Sequence, residues 1–166
     1  MQSDDVQTQK AMFGAGCFWC VQYYFDQVPG VIETYVGYSG GSAVNPRYDQ
    51  VCSGETGHAE VVLAQFDPAQ VSYHELLQHF FRLHDPTQLN RQGPDVGSQY
   101  RSVVYYCDET QRQTAEAVIQ QAQSAYAVPI VTEVAPAGKF YPAEDYHQKF
   151  TARTGRGMCH VEYAPL

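Results

Sequence analysis

Segments with the periodicity of strands and helices follow one another in an order that few folds can accommodate. Strands are predicted over residues 10–15, 31–38, 58–66 and 101–107, and helices over 17–27 and 71–84. A third helix over 108–126, a fifth strand over 130–134 and a short helical piece over 143–150 follow. The order β-α-β-β-α-β indicates an α+β fold, a ferredoxin-like split βαβ two-layer sandwich with an irregular C-terminal extension.

The length and charge of the chain limit its organisation and its partners. Its 166 residues fit one catalytic domain over 1–166, with a frayed start at 1–9 and a flexible tail at 151–166. The net charge of −8 argues against nucleic acid or an anionic membrane as a partner. No apolar run is long enough to span a membrane, and the first residues lack the apolar stretch of a signal peptide. We therefore expect a cytoplasmic protein, and we expect it to be a monomer.

A glycine-containing turn places Cys17 where a predicted strand gives way to a predicted helix. Gly14 and Gly16 precede the thiol, and Phe18 and Trp19 follow it. The exposed N–H groups and the positive end of the helix favour thiolate over thiol. We therefore expect a lowered pKa and a nucleophilic Cys17. The alternative is a small buried apolar residue, as most free cysteines are.

A second cysteine, Cys20, makes a Cys-x-x-Cys pair with Cys17, which is the spacing of a redox dithiol. The same pair could hold half of a metal site, but the chain has no second Cys-x-x-Cys, and Cys159-His160 completes tetrahedral spacing poorly. We therefore expect no metal. Cys159 lies in a glycine-containing tail that could swing to another cysteine.

The carboxyl group of Glu60 is the first candidate for a proton donor. Glu60 lies in the predicted strand 58–66, which is apolar on both faces, so its side chain is expected to be buried. Burial without a cationic partner raises the pKa of a carboxyl group and keeps it protonated at neutral pH. The alternative is a position at the strand edge from which Glu60 reaches water.

Two loops rich in glycine flank the third and fourth strands, over residues 37–57 and 87–99. They bring Tyr48, Asp95 and Tyr100 to the ends of the predicted sheet. Tyrosine hydroxyls there could bind a polar oxygen of a ligand. The alternative is that the tyrosines face solvent.

Motifs along nearly the whole chain resemble the A-type peptide methionine sulfoxide reductases. The matching stretches, in family order, are 16–19 (GCFW), 29–31 (PGV), 37–41 (GYSGG), 48–52 (YDQVC), 56–60 (TGHAE), 85–87 (DPT), 95–102 (DVGSQYRS) and 141–148 (YPAEDYHQ). Cys20 and Gln22 depart from the pattern, because the family more often carries glycine and glutamate there. Enzymes of this type restore methionine from one epimer of its sulfoxide.

The resemblance implies a role for each matching residue. Cys17 is implied as the nucleophile that attacks the sulfoxide sulfur, and Glu60 as the acid that protonates the sulfoxide oxygen. Tyr48 and Tyr100 are implied to hydrogen-bond that oxygen, and Asp95 to orient the site and the substrate. Phe18 and Trp19 are implied to form the wall that holds the substrate methyl group. The implied substrate is the S epimer of methionine sulfoxide, free or in oxidised proteins.

The resemblance also implies how the enzyme is recycled. The product on Cys17 is a sulfenic acid, which a second thiol converts to a disulfide. Cys159 is implied as the resolving thiol, and Cys20 is the alternative, either by pairing with Cys17 or as a relay. Thioredoxin or another dithiol is the implied reductant, without a bound cofactor. Two other hypotheses stay open: a non-catalytic redox sensor or metal-binding module that uses Cys17 and Cys20, and a thioredoxin-like disulfide reductase.

Overall fold

A six-stranded sheet forms the centre of the computed structural model, which describes residues 7–156 and 163–166. The main strands are β1 (Gln9–Ala15), β2 (Val31–Ser39), β3 (Ala59–Phe66) and β6 (Ser102–Tyr106). The short strands are β4 (Arg91–Gln92), β5 (Asp95–Val96), β7 (Glu133–Pro136) and β8 (Tyr141–Pro142). The helices are α1 (Phe18–Phe25), α2 (Tyr48–Cys52), α3 (Tyr73–Arg82), α4 (Glu109–Ala122) and α5 (Phe150–Thr154).

The strand order of the large sheet is β7-β6-β1-β3-β2-β8. Its centre, β6-β1-β3-β2, is antiparallel throughout, and α1 connects β1 to β2 across the intervening β3. This is the split βαβ arrangement, so the predicted α+β fold is confirmed. The extension adds one strand to each edge: β7 pairs parallel with β6, and β8 pairs antiparallel with β2.

The two faces of the sheet are buried by different parts of the chain. Phe13, Val62 and Val104 point to the helical side, where they form the main core with residues of α1, α3 and α4. The alternate residues, among them Met12 and Val61, form a smaller cluster on the other face with the segment around 135–140. Because side chains alternate along a strand, Glu60 points to the same side as Val62, which is the side that α1 covers.

Capping residues explain where the two long helices begin. The Ser72 hydroxyl accepts a hydrogen bond from the backbone N–H of Glu75, and the Glu75 carboxylate accepts one from the backbone N–H of Ser72. Asp108 accepts a hydrogen bond from the backbone N–H of Gln111 at the start of α4. Both helices were predicted within a few residues of these bounds.

Short elements differ most from the predictions. The segment predicted as a loop over 37–57 contains α2, and the second loop contains the two-residue strands β4 and β5. The last predicted strand, over 130–134, begins later, at Glu133. The piece predicted as helical over 143–150 is instead a 3-10 turn over Asp145–His147 followed by α5. Such short elements depend on distant contacts, which local periodicity does not reveal.

The described residues of the C-terminal segment contact the body of the protein. Residues 150–154 form α5, and the Tyr163 ring packs against the rings of Tyr24 and His79. The guanidinium group of Arg82 donates to the backbone carbonyls of Ala164 and Pro165. Within the described ranges no helix is long and apolar enough to cross a membrane.

Candidate active site

Cys17 lies at the start of α1, at the end of the turn that leaves β1. It is the N-cap residue with extended backbone angles, and its carbonyl accepts the N–H groups of Cys20 and Val21. Gly16, before it, has φ +94°, and a Cβ there would lie 2.9 Å from the side chain of Gln92. The turn therefore requires glycine at position 16. It places the Cys17 thiol at the end of the sheet, near Glu60.

The pKa of Cys17 is raised, contrary to the prediction from its place at a helix start. Burial raises it to about 12, with further increases from the charges of Glu60 and Asp95. The backbone N–H groups of Trp19 and Cys20 lower it, but by less. Loss of solvation thus outweighs the helix terminus at this position. The resting form of the site at neutral pH holds a thiol.

Glu60 is buried, as the strand pattern predicted, with 1% of its surface exposed. Its Oε1 accepts a hydrogen bond of 3.2 Å from the backbone N–H of Phe18, the residue after Cys17. Its Oε2 is buried and has no hydrogen-bond partner among the described residues. Burial raises the pKa of this carboxyl group to about 8, against the Phe18 hydrogen bond, which lowers it. Glu60 is therefore mostly a neutral acid at pH 7.

Two tyrosines and one aspartate surround this acid. Tyr48 is the first residue of α2. Tyr100 ends a 3-10 helix just before β6. Burial, and then the charge of Glu60, raises the pKa of both hydroxyls, so both remain donors at neutral pH. Asp95, in β5, is close enough for its charge to raise the pKa of Glu60 and of Cys17.

The two aromatic residues after Cys17 are placed differently. Phe18 is 1% exposed and packs on the rings of Tyr38, Tyr48 and His147, so it supports the site from beneath. Trp19 is half-buried, and its indole N–H donates to Nδ1 of His147 over 2.9 Å. These contacts fix the orientation of the indole ring.

A cavity of about 270 Å³ reaches Cys17 from the side of α1 and β5. Its apolar wall is formed by Ala15, Val21, Tyr24 and Leu83, and its polar side by Asp85, Gln88, Gln92 and Asp95. The cavity thus borders Cys17, Cys20 and Asp95, whereas Glu60, Tyr48 and Tyr100 do not line it.

The other cysteines differ in oxidation state and position. Cys20 takes part in a disulfide bond, whereas Cys17, Cys52 and Cys107 are free thiols. A disulfide between Cys17 and Cys20 is therefore not the state seen here. Cys159, the predicted resolving residue, lies outside the described residues.

Three residues shape the site although the sequence indicated no role for them. His147 accepts from Trp19 and packs at 4.4 Å against the Tyr48 ring, and Phe150 stacks on Trp19 at 4.0 Å. Glu144 accepts from Tyr38 and from the backbone of Tyr48. The only signal for Glu144 and His147 was the motif 141–148, and Phe150 lies outside that motif, because the contacts of all three span about a hundred residues of chain or more. In the described part of the chain, no group of three His, Cys, Asp or Glu residues could hold a metal ion.

Known proteins share both the sequence and the fold of this chain. Residues 9–166 match the profile of the family described as Peptide methionine sulfoxide reductase. Peptide methionine sulfoxide reductase MsrA of Acinetobacter baumannii (strain AYE) is 52% identical over 158 residues, which cover 95% of this chain and 91% of that protein.

Solved structures show the same likeness. Mxr1 from Saccharomyces cerevisiae in reduced form superposes with a TM-score of 0.90 at 30% identity, covering 98% of this chain and 94% of that chain. Methionine sulfoxide reductase A of Corynebacterium diphtheriae gives 0.83 at 36% identity, covering 96% and 81%. The yeast protein in complex with Trx2 shares the fold at 0.66 and 19% identity, covering 99% and 96%. By its sequence profile and by its overall identity to named members, the chain belongs to the peptide methionine sulfoxide reductase family.

Proposed function

We propose that Cys17 is the nucleophile of methionine sulfoxide reduction and that Glu60 supplies the proton. A sulfoxide oxygen is a poor leaving group until it is protonated, so a neutral acid must lie beside the attacking sulfur. The observation that carries this proposal is the geometry of Glu60. One of its oxygens is held by the N–H group next to Cys17, and the other is buried without a partner.

The proton balance of the step fits two groups that are both protonated at rest. The thiolate of Cys17 forms a bond to the sulfoxide sulfur while Glu60 gives its proton to the oxygen. The hydroxyl group then passes from the substrate sulfur to the Cys17 sulfur, which breaks both the sulfur–oxygen bond of the substrate and the temporary bond between the two sulfur atoms. Cys17 ends as a sulfenic acid, the substrate ends as a sulfide, and the proton lost by the Cys17 thiol returns Glu60 to its acid form.

The surrounding residues bind and orient the sulfoxide. Tyr48 and Tyr100 donate hydrogen bonds to its oxygen, and these bonds strengthen as negative charge develops there. Trp19, supported by Phe18, forms the wall for the methyl group. Asp95 orients the substrate from the side of β5. The burial of Phe18 and the hydrogen bond that fixes the Trp19 indole support these roles, with Trp19 as the wall and Phe18 as its support.

Recycling uses two further thiols. The thiol of Cys159 condenses with the sulfenic acid, which releases water and forms a Cys17–Cys159 disulfide. Cys20 then attacks Cys159 and releases Cys17 as a thiol. The free Cys17 and the disulfide-bonded Cys20 in this structure support a relay. Without a reductant, a reduced chain that uses the relay should release two molecules of sulfide, because Cys17 is freed to react a second time. The variant Cys20→Ser should release only one. Two molecules of sulfide from the variant as well would contradict the relay.

The proposed substrate and reductant of the enzyme follow from the family resemblance. The substrate is the S epimer of methionine sulfoxide, free or in oxidised proteins. Thioredoxin or another dithiol reduces the enzyme, and no bound cofactor is required. The enzyme acts as a cytoplasmic monomer with one catalytic domain.

The substitution Glu60→Gln tests the proton donor. The amide is nearly the same size but cannot give a proton, so sulfoxide reduction should slow by about 10²- to 10⁴-fold. The measurement is single-turnover formation of sulfide from a methyl sulfoxide substrate at pH 7. Alkylation of Cys17 by iodoacetamide, read by peptide mass spectrometry, should remain, because it needs no acid.

A matched control is Glu55→Gln, which neutralises an exposed carboxylate five residues earlier, in the loop before β3. Its turnover should equal that of the unsubstituted chain. Normal turnover by Glu60→Gln would remove Glu60 from the mechanism, whatever Cys17 does.

A further inference from the structure

The side chain of Glu144 connects two parts of the site that come from distant segments of the chain. Its Oε1 accepts a hydrogen bond of 2.9 Å from the Tyr38 hydroxyl, and its Oε2 accepts one of 3.0 Å from the backbone N–H of Tyr48. Tyr38 is the cross-strand partner of Glu60 in the pairing of β2 with β3. Glu144 thus spans from the strand pair that carries the proton donor to the helix that carries Tyr48.

The start of α2 depends on this contact. The first N–H groups of a helix have no partner within the helix, and that of Tyr48 is satisfied by Glu144. The backbone N–H of Arg47, one residue earlier, is taken by the side chain of Gln50. The helix has only five residues, so its own hydrogen bonds hold it weakly. A shift at the backbone of Tyr48 would move the whole ring.

The same segment also holds the ring of Tyr48. Glu144 begins the 3-10 turn that carries His147, and its carbonyl accepts the backbone N–H of His147 over 2.9 Å. The His147 ring lies 4.4 Å from that of Tyr48. Both the backbone and the ring of Tyr48 are therefore positioned by one short turn that starts at Glu144.

A carboxylate suits this place better than its amide. Burial acts to raise the pKa of Glu144, but hydrogen bonds from the backbone of Tyr48, from its own backbone N–H and from the Tyr38 hydroxyl, together with the nearby His147, hold the pKa below its ordinary value. An ionised carboxylate accepts on both oxygens, whereas a glutamine side chain has one acceptor oxygen and an NH₂ group that can only donate. Glutamine could therefore satisfy only one of the two donors.

We propose that Glu144 is a positioning residue that fixes Tyr48 relative to Glu60, so that one sulfoxide oxygen can meet the hydroxyl and the acid together. This inference rests on the proposed role of Tyr48 in binding that oxygen. The side chain of Glu144 bonds Tyr38 and the backbone of Tyr48, and the proposed reaction does not use it directly. The inference requires its main effect on turnover to pass through Tyr48, and not through the turn that carries His147 and holds Trp19.

A double-mutant cycle between Glu144→Gln and Tyr48→Phe tests this inference. The loss of a hydrogen bond to a charged group predicts that Glu144→Gln lowers kcat/KM for a methyl sulfoxide about tenfold or more. The double variant should be no slower than Tyr48→Phe alone, because the lost positioning has nothing left to act on. Alkylation of Cys17 should be unchanged in all three. Asp145→Asn, an exposed acid one residue away, is the matched control and should keep full turnover.

The outcomes separate the inference from its premise. If Tyr48→Phe is as fast as the unsubstituted chain, the proposed role of Tyr48 fails, and the inference fails with it. If Tyr48→Phe is slow but Glu144→Gln is fast, or if the two losses multiply, only the inference fails. Tyr38→Phe removes the other donor and keeps the fold testable if Glu144→Gln does not fold. Because the Tyr38 hydroxyl joins Glu144 to the strand pair that carries Glu60, Tyr38→Phe should lower kcat/KM in the same direction as Glu144→Gln and add no loss to that of Tyr48→Phe. A normal kcat/KM for Tyr38→Phe would contradict the inference.

Discussion

The raised pKa values of Cys17 and Glu60 predict an unusual pH profile for sulfoxide reduction. The reactive form needs Cys17 as thiolate and Glu60 as acid, while burial raises the pKa of Cys17 to about 12 and that of Glu60 to about 8. Below pH 8, Glu60 stays protonated and each pH unit gives about ten times more thiolate. Above pH 8, the loss of acid cancels the gain of thiolate. We therefore expect kcat/KM to rise about tenfold per pH unit up to pH 8 and then to level off.

The size of the effect follows from the difference between the two values. On the plateau, at least about one chain in 10⁴ carries the reactive pair of protonation states, because the two pKa values differ by about four units and part of the rise at Cys17 comes from a charge that Glu60 lacks in this pair. At pH 6 the fraction is about a hundredfold smaller. In Glu60→Gln no carboxyl group titrates, so its slow reaction should continue to accelerate past pH 8. The charge that raises the pKa of Cys17 is also gone in that variant, which makes the thiolate easier to form.

The assay is single-turnover sulfide formation from pH 5.5 to 10, with sulfide measured by chromatography and no reductant present. The pH dependence of iodoacetamide alkylation at Cys17 reports the thiolate fraction in parallel, and peptide mapping separates it from the free thiols of Cys52 and Cys107. A kcat/KM that falls tenfold per unit above pH 8 would refute the reasoning. It would mean that Cys17 is already a thiolate and that only the acid titrates.

Two predictions concern stability. Glu60 keeps its proton in the folded state up to about pH 8 but loses it near 4.5 when unfolded. The unsubstituted chain should therefore lose on the order of 5 kcal/mol from this group as the pH rises through that window. In urea unfolding, the free energy of unfolding of Glu60→Gln should rise relative to that of the unsubstituted chain between pH 5 and pH 8. If the difference between the two chains is the same at both pH values, the burial argument is contradicted. Phe13 is fully buried and stacked on Phe25 and Phe80, so Phe13→Ala should cost about 3–5 kcal/mol in the same assay, and a cost below about 1 kcal/mol would contradict its place in the core.

The order of the main elements could be predicted from the sequence because each has a strong local signal. The apolar residues on both faces of 58–66 marked a buried strand and led to the expectation that Glu60 is buried. The caps Ser72 and Asp108 explain why α3 and α4 begin close to where periodicity placed them. These signals come from neighbouring residues, so one sequence is enough to read them.

The features that the sequence did not reveal depend on contacts between distant residues. The helix that begins at Tyr48 lies in a stretch rich in glycine, and it is held by Glu144, 96 residues later. The pKa of Cys17 was predicted in the wrong direction because the prediction considered the helix terminus and left out burial by the rest of the fold. Desolvation depends on everything packed around a group, and no local pattern contains it.

The central claim is that Cys17 takes the oxygen of a methyl sulfoxide. The most direct measurement uses the chain with Cys20 and Cys159 both replaced by serine, mixed with excess sulfoxide and no reductant. Mass spectrometry after trapping with dimedone should find a sulfenic acid on Cys17, with one sulfide released per chain, and the further change Cys17→Ser should abolish both. Sulfide release that continues at the same rate without Cys17 would contradict the account.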